Sequence, residues 1–127
     1  MENIIKKKIL IVEDDGMISS MYKIKLEIDG FKVIIANNGA EGLELIKKEQ
    51  PDLVMLDVIL PQIDGFSVLE ELKKEESTKL IPVIMLTNLG TEEDKDKGEK
   101  MGAVDYLIKA SLTPAQLSIK IKKYLKI

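Results

Sequence analysis

Five short apolar runs set the rhythm of this chain and restrict its fold more than any other feature. They are KILIV (8–12), KVIIA (32–36), LVMLD (53–57), PVIMLT (82–87) and VDYLI (104–108). Each is rich in Val, Ile and Leu without polar alternation, the composition of parallel strands covered on both faces. The segments between them carry helical stripes: Ile18, Met21, Tyr22 and Leu26; Leu43 and Ile46; Val68, Leu69 and Leu72; Leu117, Ile121, Tyr124 and Leu125. Gly30, Gly39, Gly65 and Gly102 fall at the joints, and Thr113-Pro114 reads as a helix N-cap followed by its first residue. Strand and helix alternate five times. Such a chain folds as one α/β domain, a doubly wound parallel sheet with right-handed crossovers, because 127 residues are too few for an eight-unit barrel.

Sheets of this kind bind ligands outside the carboxyl ends of their strands. Glu13, Asp14 and Asp15 follow the first strand, Asp57 ends the third, Thr87 ends the fourth and Lys109 follows the fifth. These residues therefore converge on one edge. Two carboxylates about 5 Å apart repel by roughly 3 kcal/mol at an effective dielectric near 20, so the group must protonate, pair with Lys109 or hold a cation. An all-oxygen donor set suits Mg²⁺. Asp57 has the chemistry of an acyl-phosphate nucleophile, with Lys109 and Thr87 placed to hold phosphoryl oxygens. Taken singly, each residue has a plainer role: an acidic run after a strand is often a solvated helix start, and a Thr at a strand end is often a cap.

Composition narrows the function classes. The net charge is −3 and all 19 basic residues are Lys, which does not point to nucleic acid or to an anionic membrane. No Cys and no His are present, which excludes thiolate and imidazole metal sites and histidine acid–base chemistry. The apolar run near the start is too short for a signal core or a membrane span, so a cytoplasmic location is expected.

The motifs ILIVEDD (9–15), PDLVMLDVILPQIDGF (51–66), PVIMLTN (82–88) and GAVDYLIKA (102–110) resemble the receiver domain of bacterial response regulators in two-component systems, of the chemotaxis-receiver type. The resemblance spans nearly the whole chain. It implies a flavodoxin-like sheet in strand order 2-1-3-4-5, a single receiver domain over residues 1–127 with no effector domain, and a switch rather than an enzyme, assisting its own phosphorylation and dephosphorylation. It implies Asp57 as phosphoacceptor, Glu13, Asp14, Asp57 and the Ile59 backbone carbonyl as Mg²⁺ ligands, Thr87 as the switch hydroxyl, Lys109 as the phosphate-contacting lysine and Tyr106 as the aromatic that turns inward on activation. Pro61 and Gly65 match the loop after the acceptor. The implied partners are a sensor histidine kinase or histidine phosphotransfer protein and a downstream protein target, with a monomer or weak dimer and no nucleic acid or membrane.

The chain departs from the family pattern at several places. Ala110 stands where the family has a proline in a cis bond, so the Lys109–Ala110 bond is either cis and strained or trans with a different approach of Lys109. Asn88 replaces a usual alanine. The fourth helical segment (91–102) is nearly without an apolar stripe and contains Gly98, so it is expected to be marginal and mobile. Two apolar residues, Ile59 and Leu89, stand where a hydrolytic water would be positioned, which predicts a long-lived phosphorylated form. Met17, Ile24 and Ile28 on the first helix and Ile119 on the last are candidate contact residues. The competing readings are an unphosphorylated receiver-like scaffold, a flavodoxin-like cofactor binder and a Mg²⁺-dependent phosphohydrolase. The acidic site argues against the scaffold, its acidity against a phosphate loop, and the short chain against a hydrolase with a substrate-binding cap.

Overall fold

A computed structural model describes residues 5–88 and 90–127. The strands are β1 (Lys8–Val12), β2 (Lys32–Ala36), β3 (Leu53–Asp57), β4 (Val83–Thr87) and β5 (Asp105–Ile108). The helices are α1 (Gly16–Ile28), α2 (Gly39–Glu49), α3 (Gly65–Lys74), α4 (Glu92–Lys100) and α5 (Pro114–Leu125), with one 3₁₀ turn at Lys109–Ser111. The sheet runs β2-β1-β3-β4-β5 with every pairing parallel. The strand boundaries expected from the apolar runs hold to within one residue. Pro82 has no N–H to donate; it stands before β4, and its carbonyl accepts from Val54 N at 3.0 Å.

The run composition explains the layering. Successive residues of a strand face opposite sides, so Leu10, Val12, Val54, Leu56, Val83 and Met85 pack with Ile46 of α2 and Val68, Leu69 and Leu72 of α3. Ile9, Ile11, Leu53, Met55, Ile84 and Leu86 face the other way, against Tyr22 and Leu26 of α1 and Leu117 and Ile121 of α5. All five residues of β3 and of β4 are buried. Apolar burial on this scale, at about 25 cal/mol per Å², leaves the polar residues at the strand ends as the part of the sheet free to do chemistry.

Helix starts follow the punctuation. Asp15, Asn38, Asp64, Thr91 and Thr113 each cap a helix by accepting from backbone N–H groups two or three residues on. Thr113 and Gln116 form a reciprocal capping box with Pro114 as the first helical residue. No described helix is long and apolar enough to cross a membrane.

Candidate functional site

β3 is an apolar post between β1 and β4, and Asp57 is its tip. Beyond it the chain folds back tightly: Val58 N donates to Leu86 O at 3.0 Å, and Gly65 N donates to Val58 O at 2.8 Å. A Cβ on Gly65 would lie 2.1 Å from the Asp57 carbonyl oxygen, so only glycine lets α3 begin this close to the post. Asp57 is buried, and its Oδ1 accepts from Ile59 N at 3.2 Å.

The other groups arrive from neighbouring strand ends. Glu13 follows β1; its N–H donates to Ala36 O at 3.0 Å, and its side chain is buried. Lys109 follows β5 in the 3₁₀ turn and is likewise buried, donating to Asp57 Oδ2 at 2.8 Å and, through a short ionic contact, to Glu13 Oε1. Thr87 is buried at the end of β4, in register with Ile108. Asp14 is exposed beside them, and carboxylate oxygens of Glu13, Asp14 and Asp57 all lie within 4.8 Å of one another. Glu13, Asp14, Asp57 and Lys109, with Asp15, Ile18, Ile59 and Asn88, line a cleft of about 250 Å³.

Charge in the cleft does not balance: two buried carboxylates share one ammonium, and Asp14 adds a third acid. Burial pushes the Glu13 carboxyl above the usual range, and its contact with Asp57 adds to this; Lys109 pulls the other way without cancelling it. Burial would lower the Lys109 ammonium, but its hydrogen bonds and charge pairing with Asp57 and Glu13 outweigh that and raise it. An ammonium held this firmly stays charged, while the acids retain a surplus of negative charge. Oxygen donors with that surplus fit a hard divalent cation that keeps several waters.

The structure brings together Glu13, Asp14, Asp57 and Lys109, with Thr87 buried at the end of β4, and it resolves what the acidic run left open. Asp15 is not part of the cluster. Its Oδ1 is spent on Met17 N and Ile18 N, at 2.9 and 3.2 Å, as the cap of α1. The Lys109–Ala110 bond is trans, as are all bonds among the described residues. Lys109 therefore reaches both carboxylates through the 3₁₀ turn, with no strained bond. The Ile59 side chain is largely exposed at the cleft mouth, and its backbone N–H donates to Asp57 Oδ1. Leu89, its expected apolar counterpart, lies outside the described residues.

Tyr106 is buried on the α4 side of the sheet. Its hydroxyl is buried, with the Thr87 hydroxyl as neighbour. Burial raises its pKa, and the neighbouring Thr87 hydroxyl acts in the opposite direction. Sequence reasoning missed what Gly98 does: a Cβ there would lie 3.2 Å from Tyr106 Cδ2 and 3.3 Å from Met85 Sδ. The glycine inside a helical segment was the available signal, a conformational cost that calls for a packing reason.

A family model described as "Response regulator receiver domain" matches residues 9–122. "Probable transcriptional regulator ycf27" of Porphyra purpurea is 43% identical over 121 residues, 95% of this chain and 48% of that protein. "DNA-binding dual master transcriptional regulator RpaA" of Synechocystis sp. is 48% identical over 102 residues, 80% of this chain and 42% of that protein. The chain thus spans about half the length of these curated relatives. Among solved structures, a "response regulator receiver domain protein (CheY-like)" from Methanospirillum hungatei JF-1 superposes with a TM-score of 0.88 at 35% identity, covering 95% of this chain and 94% of that one.

Proposed function

The chain belongs to the response regulator receiver family of two-component systems, and from that premise we propose that Asp57 is its phosphoacceptor. One observation carries the assignment: Asp57 is held at the end of a wholly buried strand, one oxygen on Lys109 Nζ at 2.8 Å and the other on Ile59 N at 3.2 Å, within reach of two further carboxylates. The two donors orient the carboxylate before any donor molecule arrives, which lowers the entropic part of the barrier.

No histidine occurs in these residues, so the phosphohistidine stands on a partner. In the transfer an Asp57 oxygen forms a bond to phosphorus as the phosphorus–nitrogen bond breaks, and the bonding pair leaves with the imidazole nitrogen. Lys109 contacts the phosphoryl oxygens and offsets their charge, and the Thr87 hydroxyl donates to one of them. Glu13, Asp14, Asp57 and the Ile59 carbonyl would hold Mg²⁺, which when bound supplies charge neutralisation between the acids and the phosphoryl group. Hydrolysis of the acyl phosphate, assisted by the same site, returns the chain to rest, and the exposed apolar Ile59 at the cleft mouth slows it.

The phosphodonor docks along α1. Met17, Met21, Ile24 and Ile28 are all exposed and spaced 4, 3 and 4 residues apart, a heptad seam that suits packing by a second helix. Met17 is within two residues of Asp15 at the cleft rim. Output passes through protein contact at the face formed by β5 and α5. The low net charge supports protein rather than nucleic acid as the partner of these 127 residues.

Intact-mass spectrometry after incubation with acetyl phosphate and Mg²⁺ tests the assignment. Wild type gains one phosphoryl mass and Asp57→Asn gains none; labelling that persists in Asp57→Asn would place the acceptor elsewhere. In thermal melts without phosphodonor, Mg²⁺ at about ten times its dissociation constant stabilises wild type by roughly 1.4 kcal/mol. Asp14→Ala loses that response.

A further inference from the structure

Among the described residues of α4, Gly98 alone is buried, and it lies against the Tyr106 ring. We propose that Gly98 is the positioning residue that holds Tyr106 in its buried setting without phosphorylation, so that this one side-chain-free site sets the resting balance of the switch. This rests on the reading of the chain as a receiver switch, but the placement of Tyr106 is measurable whether or not Asp57 is phosphorylated.

The clearance is narrow on two sides at once. A Cβ at Gly98 would press on Tyr106 Cδ2 at 3.2 Å and on Met85 Sδ at 3.3 Å, both closer than ordinary van der Waals contact. Met85 is a fully buried residue in the middle of β4. Tyr106 has somewhere to go: its outer side borders a cavity of about 210 Å³ lined also by Gly90, Thr91, Glu92, Lys95 and Ile108. Its hydroxyl is buried, with Thr87 as its polar neighbour. A ring with open space outside stays in only while the packing around it is permissive. Any side chain at position 98 therefore drives Tyr106 toward the outer cavity, where its hydroxyl regains water.

The test labels the protein with 3-fluorotyrosine and follows the three tyrosine ¹⁹F signals, the Tyr106 signal being identified by its loss in Tyr106→Phe. A soluble paramagnetic agent reports exposure. In unphosphorylated wild type the Tyr106 signal is protected to the same degree as that of buried Tyr22. In Gly98→Ala its relaxation enhancement rises at least twofold, and in Gly98→Val further, with circular dichroism unchanged. Alanine has the higher helix propensity, so a variant that simply melts higher with Tyr106 still protected would overturn the proposal. Protection of Tyr106 absent already in wild type would do the same. Should Gly98→Val fail to fold, a double-mutant comparison decides. Gly98→Ala is more stabilising in a Tyr106→Ala background than in wild type if the ring is what the methyl group meets; equal effects in the two backgrounds would refute the contact. Loss of labelling at Asp57 in the mass experiment, by contrast, would remove the phosphoacceptor reading and leave these Tyr106 measurements standing.

Discussion

At the scale of single residues, chemistry was legible where type and position coincide. Asp57, Glu13, Asp14 and Lys109 meet at one edge because strand ends of a parallel sheet converge there, and Thr87 is buried at the end of the adjoining β4. Asp15 was not separable from its neighbours, because ligand and cap are the same side chain in different local geometry. The trans bond at Ala110 was equally hidden, since it depends on how the 3₁₀ turn delivers Lys109. Asp105 shows a further residue-level consequence. Its Oδ2 accepts from the Tyr124 hydroxyl at 2.6 Å, tying α5 to β5. Burial first, then this bond and the carboxylate charge, push the Tyr124 phenol up to about 12. A folded-state pKa raised above the ordinary value of 10 means that the neutral phenol stabilises the fold fully below pH 10 and that the contribution is lost as pH rises through about 12. The absorbance difference between wild type and Tyr124→Phe should titrate near pH 12. In an Asp105→Asn background the same difference titrates lower; an unchanged midpoint would mean that the carboxylate has no part in it.

At the scale of elements, periodicity marked α1, α2, α3 and α5, and the helix it did not mark was α4. The sequence expectation was a marginal segment. The structure shows a regular helix from Glu92 to Lys100, capped by Thr91. Its charges explain why it forms. Glu92, Glu93 and Asp94 occupy the first turn and Lys97 and Lys100 the last, each on the side that the helix dipole favours. Lys97 Nζ also sits 4.3 Å from the Phe66 ring centroid and tethers α4 to α3. These are surface contributions of a few tenths to about 1 kcal/mol each, whereas α3 buries Val68, Leu69 and Leu72. α4 is therefore formed but weakly anchored. Amide hydrogen exchange should find its backbone opening at least roughly tenfold more often than that of α3, about 1.4 kcal/mol in opening free energy. Matching protection in the two helices would mean that the buried contact at Gly98 anchors α4 far more strongly than its polar sequence indicates.

At the scale of the whole molecule, a site at one edge of the sheet has to be felt on a surface partners can reach. Layer order and strand order were legible from the apolar runs and the family motifs. Which exposed apolar residues matter was not, because exposure depends on which helix faces are left uncovered. Ile119 is such a residue: Leu117 and Ile121 on either side of it are fully buried, and Ile119 itself is 68% exposed. It lines a cleft of about 560 Å³ with Tyr106, Leu107, Ile108, Leu112 and Gln116, so the aromatic that adjoins Thr87 also forms a wall of this surface. A phosphoryl group on Asp57 that draws the Thr87 hydroxyl toward itself changes the polar surroundings of Tyr106, and any movement of the ring reshapes the cleft around Ile119. The energetic demand is small. Shifting a two-state surface from about 1:99 to 99:1 takes about 5.5 kcal/mol of differential binding, and smaller shifts take proportionally less. Ile119→Asp places a charge in the apolar cleft without touching the core, so folding and phosphorylation of Asp57 should be unchanged. Any association that depends on phosphorylation, followed by analytical sedimentation with and without acetyl phosphate and Mg²⁺, should weaken at least tenfold. The same variant should leave transfer from a phosphohistidine donor at its wild-type rate, because the donor surface proposed above lies on α1. Association that survives Ile119→Asp at full strength would move the output surface off α5, and a loss of transfer would mean that input and output share it.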